Sequence, residues 1–194
     1  MKNKNITTQI IAGTHKGKIL ELPSLDVTRS SKSILKESFF NTIQFDIMDA
    51  KLVEMFGGSG SIGLEAVSRG AQNVYFFEKN KNSFDVLQRN IKKIDSSKCE
   101  AILGDVFETF PNFIARFKEH NERFFFYVDP PFSIREGMET IYDQMIGLLE
   151  SIPKEMVEMI VIEHMTGLEL PETIGAFSLK KSKKFGKTSL SYYE

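Results

Sequence analysis

The chain has one cysteine, Cys99, and no tryptophan. A lone cysteine excludes an internal disulfide and a thiolate metal cage, and Cys99 reads as a small core residue rather than a nucleophile. The histidines His15, His120 and His164 are scattered without ligand spacing, so no metal is expected. No run of about 18 apolar residues occurs, which argues against a membrane helix. Residues 1–5 lack the apolar stretch of a secretory signal. A cytoplasmic protein without membrane or metal partners is the resulting expectation. Also missing are repeats, low-complexity linkers and any Ser-His-Asp pattern. What is present, 194 residues of which 41% are hydrophobic, suits one compact unit with a full-sized core. The reading is a hairpin extension over residues 1–30 and a main domain over 31–194, working as a monomer.

Net charge is only −1, yet its distribution is uneven. Residues 1–36 carry Lys2, Lys4, Lys16, Lys18, Arg29, Lys32 and Lys36 against Glu21 and Asp26, a net of +5. Residues 178–194 carry Lys180, Lys181, Lys183, Lys184 and Lys187 against Glu194, a net of +4, which leaves −10 between them. Basic flanks around an acidic centre fit a body that takes a cation and ends that meet phosphate; solvated lysines on exposed ends are the plainer alternative. The candidate phosphate contacts are Lys16, Arg29, Lys36, Lys183, Lys184 and Lys187.

Short β-prone runs at 6–12 and 18–22 flank Gly13-Thr14-His15-Lys16-Gly17 and predict a hairpin. Ile34, Leu35, Phe39, Ile43 and Ile47 have helical spacing over 33–47. Strands are then predicted at 51–56, 73–78, 98–103, 123–128 and 157–163, with helices near 60–69, 80–94, 106–118 and 137–150. The unbroken apolar runs at 74–77 and 124–128 suit strands covered on both faces, and the alternation means an α/β parallel sheet. The tail, 176–182 and 187–193, predicts two strands joined at Phe185-Gly186 that close the sheet antiparallel.

Between the first predicted strand of that alternation and its helix lies Glu54-Met55-Phe56-Gly57-Gly58-Ser59-Gly60-Ser61-Ile62-Gly63. Such a loop lets a ligand approach backbone N–H groups at a helix N-terminus. Gly58, Gly60 and Gly63 with Glu78 also satisfy the dinucleotide fingerprint, so a nicotinamide oxidoreductase is one reading. Glu54 tilts away from it, because a pyrophosphate there meets like charge, whereas the sulfonium and ammonium of S-adenosylmethionine favour a carboxylate. Asp105, after Gly104, sits where an adenine amino group would be held, or where it would cap the following helix.

After the fourth strand comes Asp129-Pro130-Pro131-Phe132. The prolines fix φ and offer carbonyl acceptors without N–H groups. A carboxylate and a proline carbonyl can accept both hydrogens of an aromatic amine and free its lone pair for in-line attack on a methyl carbon. Phe132 offers a face on which the base stacks. A base inside a duplex could not enter, so the target is unpaired or flipped out.

These segments resemble the bacterial 16S rRNA guanine-N2 methyltransferases over nearly the whole chain. The matching residues are Ile10-Ile11-Ala12-Gly13 with Lys16-Gly17, Thr28-Arg29, Lys36-Glu37, Phe40-Asn41, residues 56–60 with 63–71, Asp129 to Phe132, and residues 185–188. The resemblance implies a Rossmann-like α/β fold, a seven-stranded S-adenosylmethionine-dependent sheet with an N-terminal β-hairpin. It implies cofactor contacts from Glu54, Phe56, Gly57, Gly58, Ser59 and Gly60, with Glu78 on the ribose and Asp105 and Val106 on the adenine. Asp129, Pro130 and Phe132 would form the catalytic loop, and 16S rRNA or a small-subunit particle would be the partner. Two departures stand out: Glu54 replaces the usual Asp, and residues 30–35 lack the family's Pro-Thr-x-Asp-Arg run. Adenine-N6 methylation of a nucleic acid and a non-catalytic RNA-binding relative are the remaining alternatives.

Overall fold

A computed structural model describes residues 7–23, 29–131 and 140–194; the side chains of residues 29–32 lie outside the description. The elements run β1 (Thr7–Gln9), β2 (Ile19–Glu21), α1 (Arg29–Thr42), β3 (Lys51–Glu54), α2 (Ser61–Ser68), β4 (Asn73–Glu78), α3 (Lys81–Ile94), β5 (Cys99–Leu103), α4 (Val106–Phe117), β6 (Phe124–Val128), α5 (Ile141–Glu150), β7 (Val157–Met165), β8 (Thr173–Ile174), β9 (Phe177–Phe185) and β10 (Thr188–Tyr193). α1 starts and stops about four residues before the range its apolar spacing predicts.

The main sheet has the order β5-β4-β3-β6-β7-β10-β9-β8. β5, β4, β3, β6 and β7 are parallel, and β10 enters antiparallel between β7 and β9. Seven of these strands match the expected sheet. The eighth is the two-residue β8, which pairs with the edge of β9. Strand order reverses between β3 and β6, and ligands of open α/β sheets bind at such a switch point beyond the carboxyl ends of the strands.

Alternation along each strand divides the core into two layers. Leu52, Val74, Phe76, Phe125, Tyr127 and Val161 pack with α1, α2 and α3. Val53, Tyr75, Phe77, Phe124, Phe126 and Ile160 pack with α4 and α5. Both faces are covered, which is why these strands read as unbroken apolar runs. The second layer is rich in aromatic edges: Phe113 contacts Tyr75, Phe77 and Phe124 with ring centroids 5.1, 5.7 and 5.4 Å apart.

The β1–β2 hairpin forms its own two-stranded sheet and lies across α2, whose residues Ile62 to Ser68 are all buried. Gly13 (φ +84°) makes this approach possible, since a Cβ there would lie 1.8 Å from the Ser68 carbonyl oxygen. No helix among the described residues is long and apolar enough to cross a membrane.

Candidate active site

The glycine loop leaves β3 and enters α2 through Gly60, whose φ of +76° is left-handed, a conformation natural to glycine. Gly60 donates to the Gly57 carbonyl at 2.6 Å, and Gly57 donates to the Phe77 carbonyl of the neighbouring strand at 2.7 Å. The loop is therefore tied both to itself and to the sheet. Glu78, at the end of β4, holds it from the side: one carboxylate oxygen accepts from the Gly58 N–H at 2.7 Å and the other from the Asn80 N–H at 2.6 Å.

Glu54 is buried and accepts from the Gly63 N–H at 2.8 Å. A carboxylate of the protein itself thus occupies the first turn of α2, where a dinucleotide pyrophosphate would have to sit. This disfavours the nicotinamide reading on geometric grounds.

Over the loop lies a cavity of about 400 Å³, within the range of small-molecule sites. One wall is Glu54, Phe56, Gly57, Gly58 and Ser59, and the floor includes Tyr127, Asp129 and Glu163. The opposite wall comes from the open end of the hairpin, Thr7, Thr8, Gln9, Ile19, Leu22 and Pro23, with Ser33 of α1. Among the described lining residues there are three carboxylates and no lysine or arginine. Such a lining suits a cationic ligand and repels a diphosphate.

The structure brings Glu54, Phe56, Gly57, Gly58, Ser59 and Asp129 together around this cavity. Gly60 and Glu78 stand directly behind the loop, which Gly60 shapes and Glu78 fixes. Asp105 caps α4, accepting from the Phe107 N–H at 3.1 Å, and also accepts from the Lys79 ammonium at 2.7 Å. That contact raises the Lys79 pKa. Val106 is buried in the α4 layer, and the Phe56 ring meets the Phe107 edge 6.2 Å away. Pro130 is buried behind Asp129. Phe132 and the side chain of Arg29 lie outside the described residues.

The basic candidates separate. Lys36, expected as a phosphate contact, is 2% exposed; its ammonium donates to the Gln9 carbonyl at 2.8 Å and lies 3.5 Å from Glu65. Burial lowers its pKa, with Glu65 working in the opposite direction. Lys36 is therefore an internal tie between α1 and the hairpin. Lys16 is exposed in the hairpin turn, whose Thr14 and His15 N–H groups bond Ser68 at the far end of α2. That end of α2 faces away from the cavity edge of the sheet. Lys184 and Lys187 are exposed near the β9–β10 turn, which borders the carboxyl end of β7, since Thr188 pairs with Met165. Lys183 is half-buried and donates to the Thr42 hydroxyl at 3.0 Å.

Three contributors to this region have no counterpart in the sequence reading. The hairpin walls the cavity, Glu65 anchors that hairpin, and Glu163 with Tyr127 forms part of the floor, the Tyr127 hydroxyl donating to Glu163 at 2.7 Å. Glu163 carried a signal: it is an acid ending an apolar run, as Glu54 is. Among the described residues no group of three or more His, Cys, Asp or Glu is placed to hold a metal.

Comparison with known proteins gives the family and the fold. Residues 8–194 match the family model described as Conserved hypothetical protein 95. The chain is 28% identical over 188 residues to a Bacillus subtilis protein named putative rRNA methyltransferase YlbH, covering 96% of this chain and 98% of that one. It is also 28% identical to the ribosomal RNA small subunit methyltransferase D of Escherichia coli, covering 96% and 89%. Among solved structures, a putative methyltransferase from Escherichia coli superposes with a TM-score of 0.74 at 25% identity, over 97% of both chains.

Proposed function

The chain belongs to the Conserved hypothetical protein 95 family, and on that premise we propose that it transfers a methyl group from S-adenosylmethionine to the exocyclic N2 amine of a guanine in small-subunit ribosomal RNA. The observation that carries this reading is the cavity at the switch point, with Glu54, Asp129 and Glu163 in its lining and no cationic side chain among the described residues there. The names of its relatives support ribosomal RNA as the substrate class.

The cavity fits the cofactor's chemistry: a carboxylate-rich wall for a cation, and backbone N–H groups of a glycine loop at close approach. Glu54 and the loop from Phe56 to Gly60 would hold the methionine end, with Glu78 bracing that loop from behind, and the family resemblance would give Asp105 and Val106 the adenine. When bound, S-adenosylmethionine supplies an electrophilic methyl carbon on a sulfonium. Asp129 and the Pro130 carbonyl accept the two amine hydrogens and orient the nitrogen lone pair. Asp129 would also take the proton that the nitrogen sheds on methylation. Most of the acceleration comes from holding two reactants in line. The exposed Lys184 and Lys187 meet RNA phosphate at the same edge of the sheet.

The test is mass spectrometry of nucleosides from small-subunit particles incubated with the protein and methyl-labelled S-adenosylmethionine. The expected product is N2-methylguanosine; label in N6-methyladenosine alone, or no label, defeats the reading.

A further inference from the structure

We propose that Glu163 selects guanine: its carboxylate, fixed by the Tyr127 hydroxyl, accepts the N1–H of the target base next to the amine that Asp129 holds. The inference rests on the guanine-N2 reading above and adds the residue that recognises the base.

β6 and β7 pair in parallel with Tyr127 opposite Val161 and Val128 opposite Ile162. Asp129 follows directly on β6 and Glu163 lies within β7, one residue past Ile162, and the two strands are roughly 4.8 Å apart. Both residues line the same cavity. Strand alternation places Glu163 on the face of Tyr127 and Val161, which is the face of Glu54, the hairpin and α1.

The burial of Glu163 is costly. Glu163 is 4% exposed in a strand that is otherwise apolar from Ile160 to Ile162. Packing alone calls for an aliphatic side chain there, because an ionised carboxylate is expensive to remove from water. Tyr127 is fully buried and donates its hydroxyl to Glu163 at 2.7 Å. That bond fixes the orientation of the carboxylate, and an ionised carboxylate has lone pairs for about four donors in all.

Guanine presents N1–H and the N2 amine side by side on one edge, so all the hydrogens on that edge are donors. Two carboxylates on adjacent strands match this edge: Asp129 for the amine and Glu163 for N1–H. Adenine, 2-aminopurine and 2,6-diaminopurine instead present a lone pair at N1. Against Glu163 that lone pair meets another acceptor, and acceptor facing acceptor in a buried site is a strong ground for discrimination.

The experiment uses the full chain and small-subunit particles reconstituted with a synthetic RNA fragment. That fragment carries guanine, 2-aminopurine or 2,6-diaminopurine at the nucleotide the wild-type protein methylates. All three bases offer the N2 amine, and only guanine offers N1–H. Single-turnover methyl transfer by the wild type is expected to favour guanine over both analogues by roughly 100-fold or more. The Glu163→Gln variant can turn an amide N–H toward the N1 lone pair, so its preference should shrink by at least about tenfold. Its affinity for S-adenosylhomocysteine and its melting temperature should stay near wild type. Equal rates on guanine and 2-aminopurine with the wild type overturn the proposal without any variant, as does an E163Q protein that keeps the full preference. A wild type that transfers no methyl to guanine N2 instead defeats the function reading itself, so the two failures are distinguishable.

Discussion

The Glu65 carboxylate lies 3.5 Å from the Lys36 ammonium, and neither side chain is open to solvent. Glu65 also accepts from the N–H groups of Ile11 at 2.7 Å and Ala12 at 3.0 Å, and from Arg69 at 2.8 Å. One buried anion on α2 thus gathers the hairpin, α1 and its own helix end, and the hairpin it anchors forms one wall of the cavity.

Glu65→Ala is expected to cost about 3–5 kcal/mol, because it leaves the Lys36 charge buried without its partner. Chemical denaturation measures the loss, and affinity for S-adenosylhomocysteine should fall along with it as the wall loosens. A destabilised variant with unchanged affinity would separate the anchor from the site.

Asp129→Ala should slow methyl transfer on the order of 10²-fold or more, since the amine loses the group that orients it. Affinity for S-adenosylhomocysteine, measured by calorimetry, should change no more than a few-fold because the glycine loop is untouched. Turnover close to wild type would remove Asp129 from its role.

The basic residues should divide by their place in the fold. Replacing Lys184 and Lys187 with Glu is expected to weaken RNA binding and reduce the salt slope by about one unit per lost phosphate contact. Lys16→Glu, in the turn against the far end of α2, should leave the slope unchanged. A loss at Lys16 equal to that at Lys187 would contradict an interface confined to the cavity edge.

Burial pushes the Cys99 thiol up from its usual 9.0 to about 12, and Asp95 adds to the rise. A group whose pKa is raised by folding contributes its full stabilisation below the unfolded value. That contribution is then lost as pH climbs through the folded value. The window runs from about 9 to about 12, and Cys99→Ala should flatten the alkaline loss of stability within it. At pH 8 a disulfide reagent should label the native protein far more slowly than the urea-unfolded chain, because the thiolate is the reactive form. Equal labelling rates would show that the thiol is not suppressed.

Local pattern was enough for the alternation of strands and helices, the glycine loop after β3 and the Asp129 corner after β6. Each is written in contiguous residues whose spacing reflects burial on one or both faces. The apolar runs at 74–77 and 124–128 announced a doubly covered sheet, and Gly57, Gly58 and Gly60 announced a close approach to a helix start. Tertiary structure alone decided the rest, because the partners are far apart along the chain. Lys36 looks like a surface cation until Glu65 and Gln9 close around it. Glu163 is an unremarked acid at a strand end until the sheet sets it beside Tyr127, 36 positions away. Lys16 and Lys187 are equivalent charges in sequence, and only the directions of α2 and β7 assign them to opposite edges. A charge has no local signature for its solvation; burial and partners are properties of the assembled chain, and they separate a phosphate contact from a structural tie.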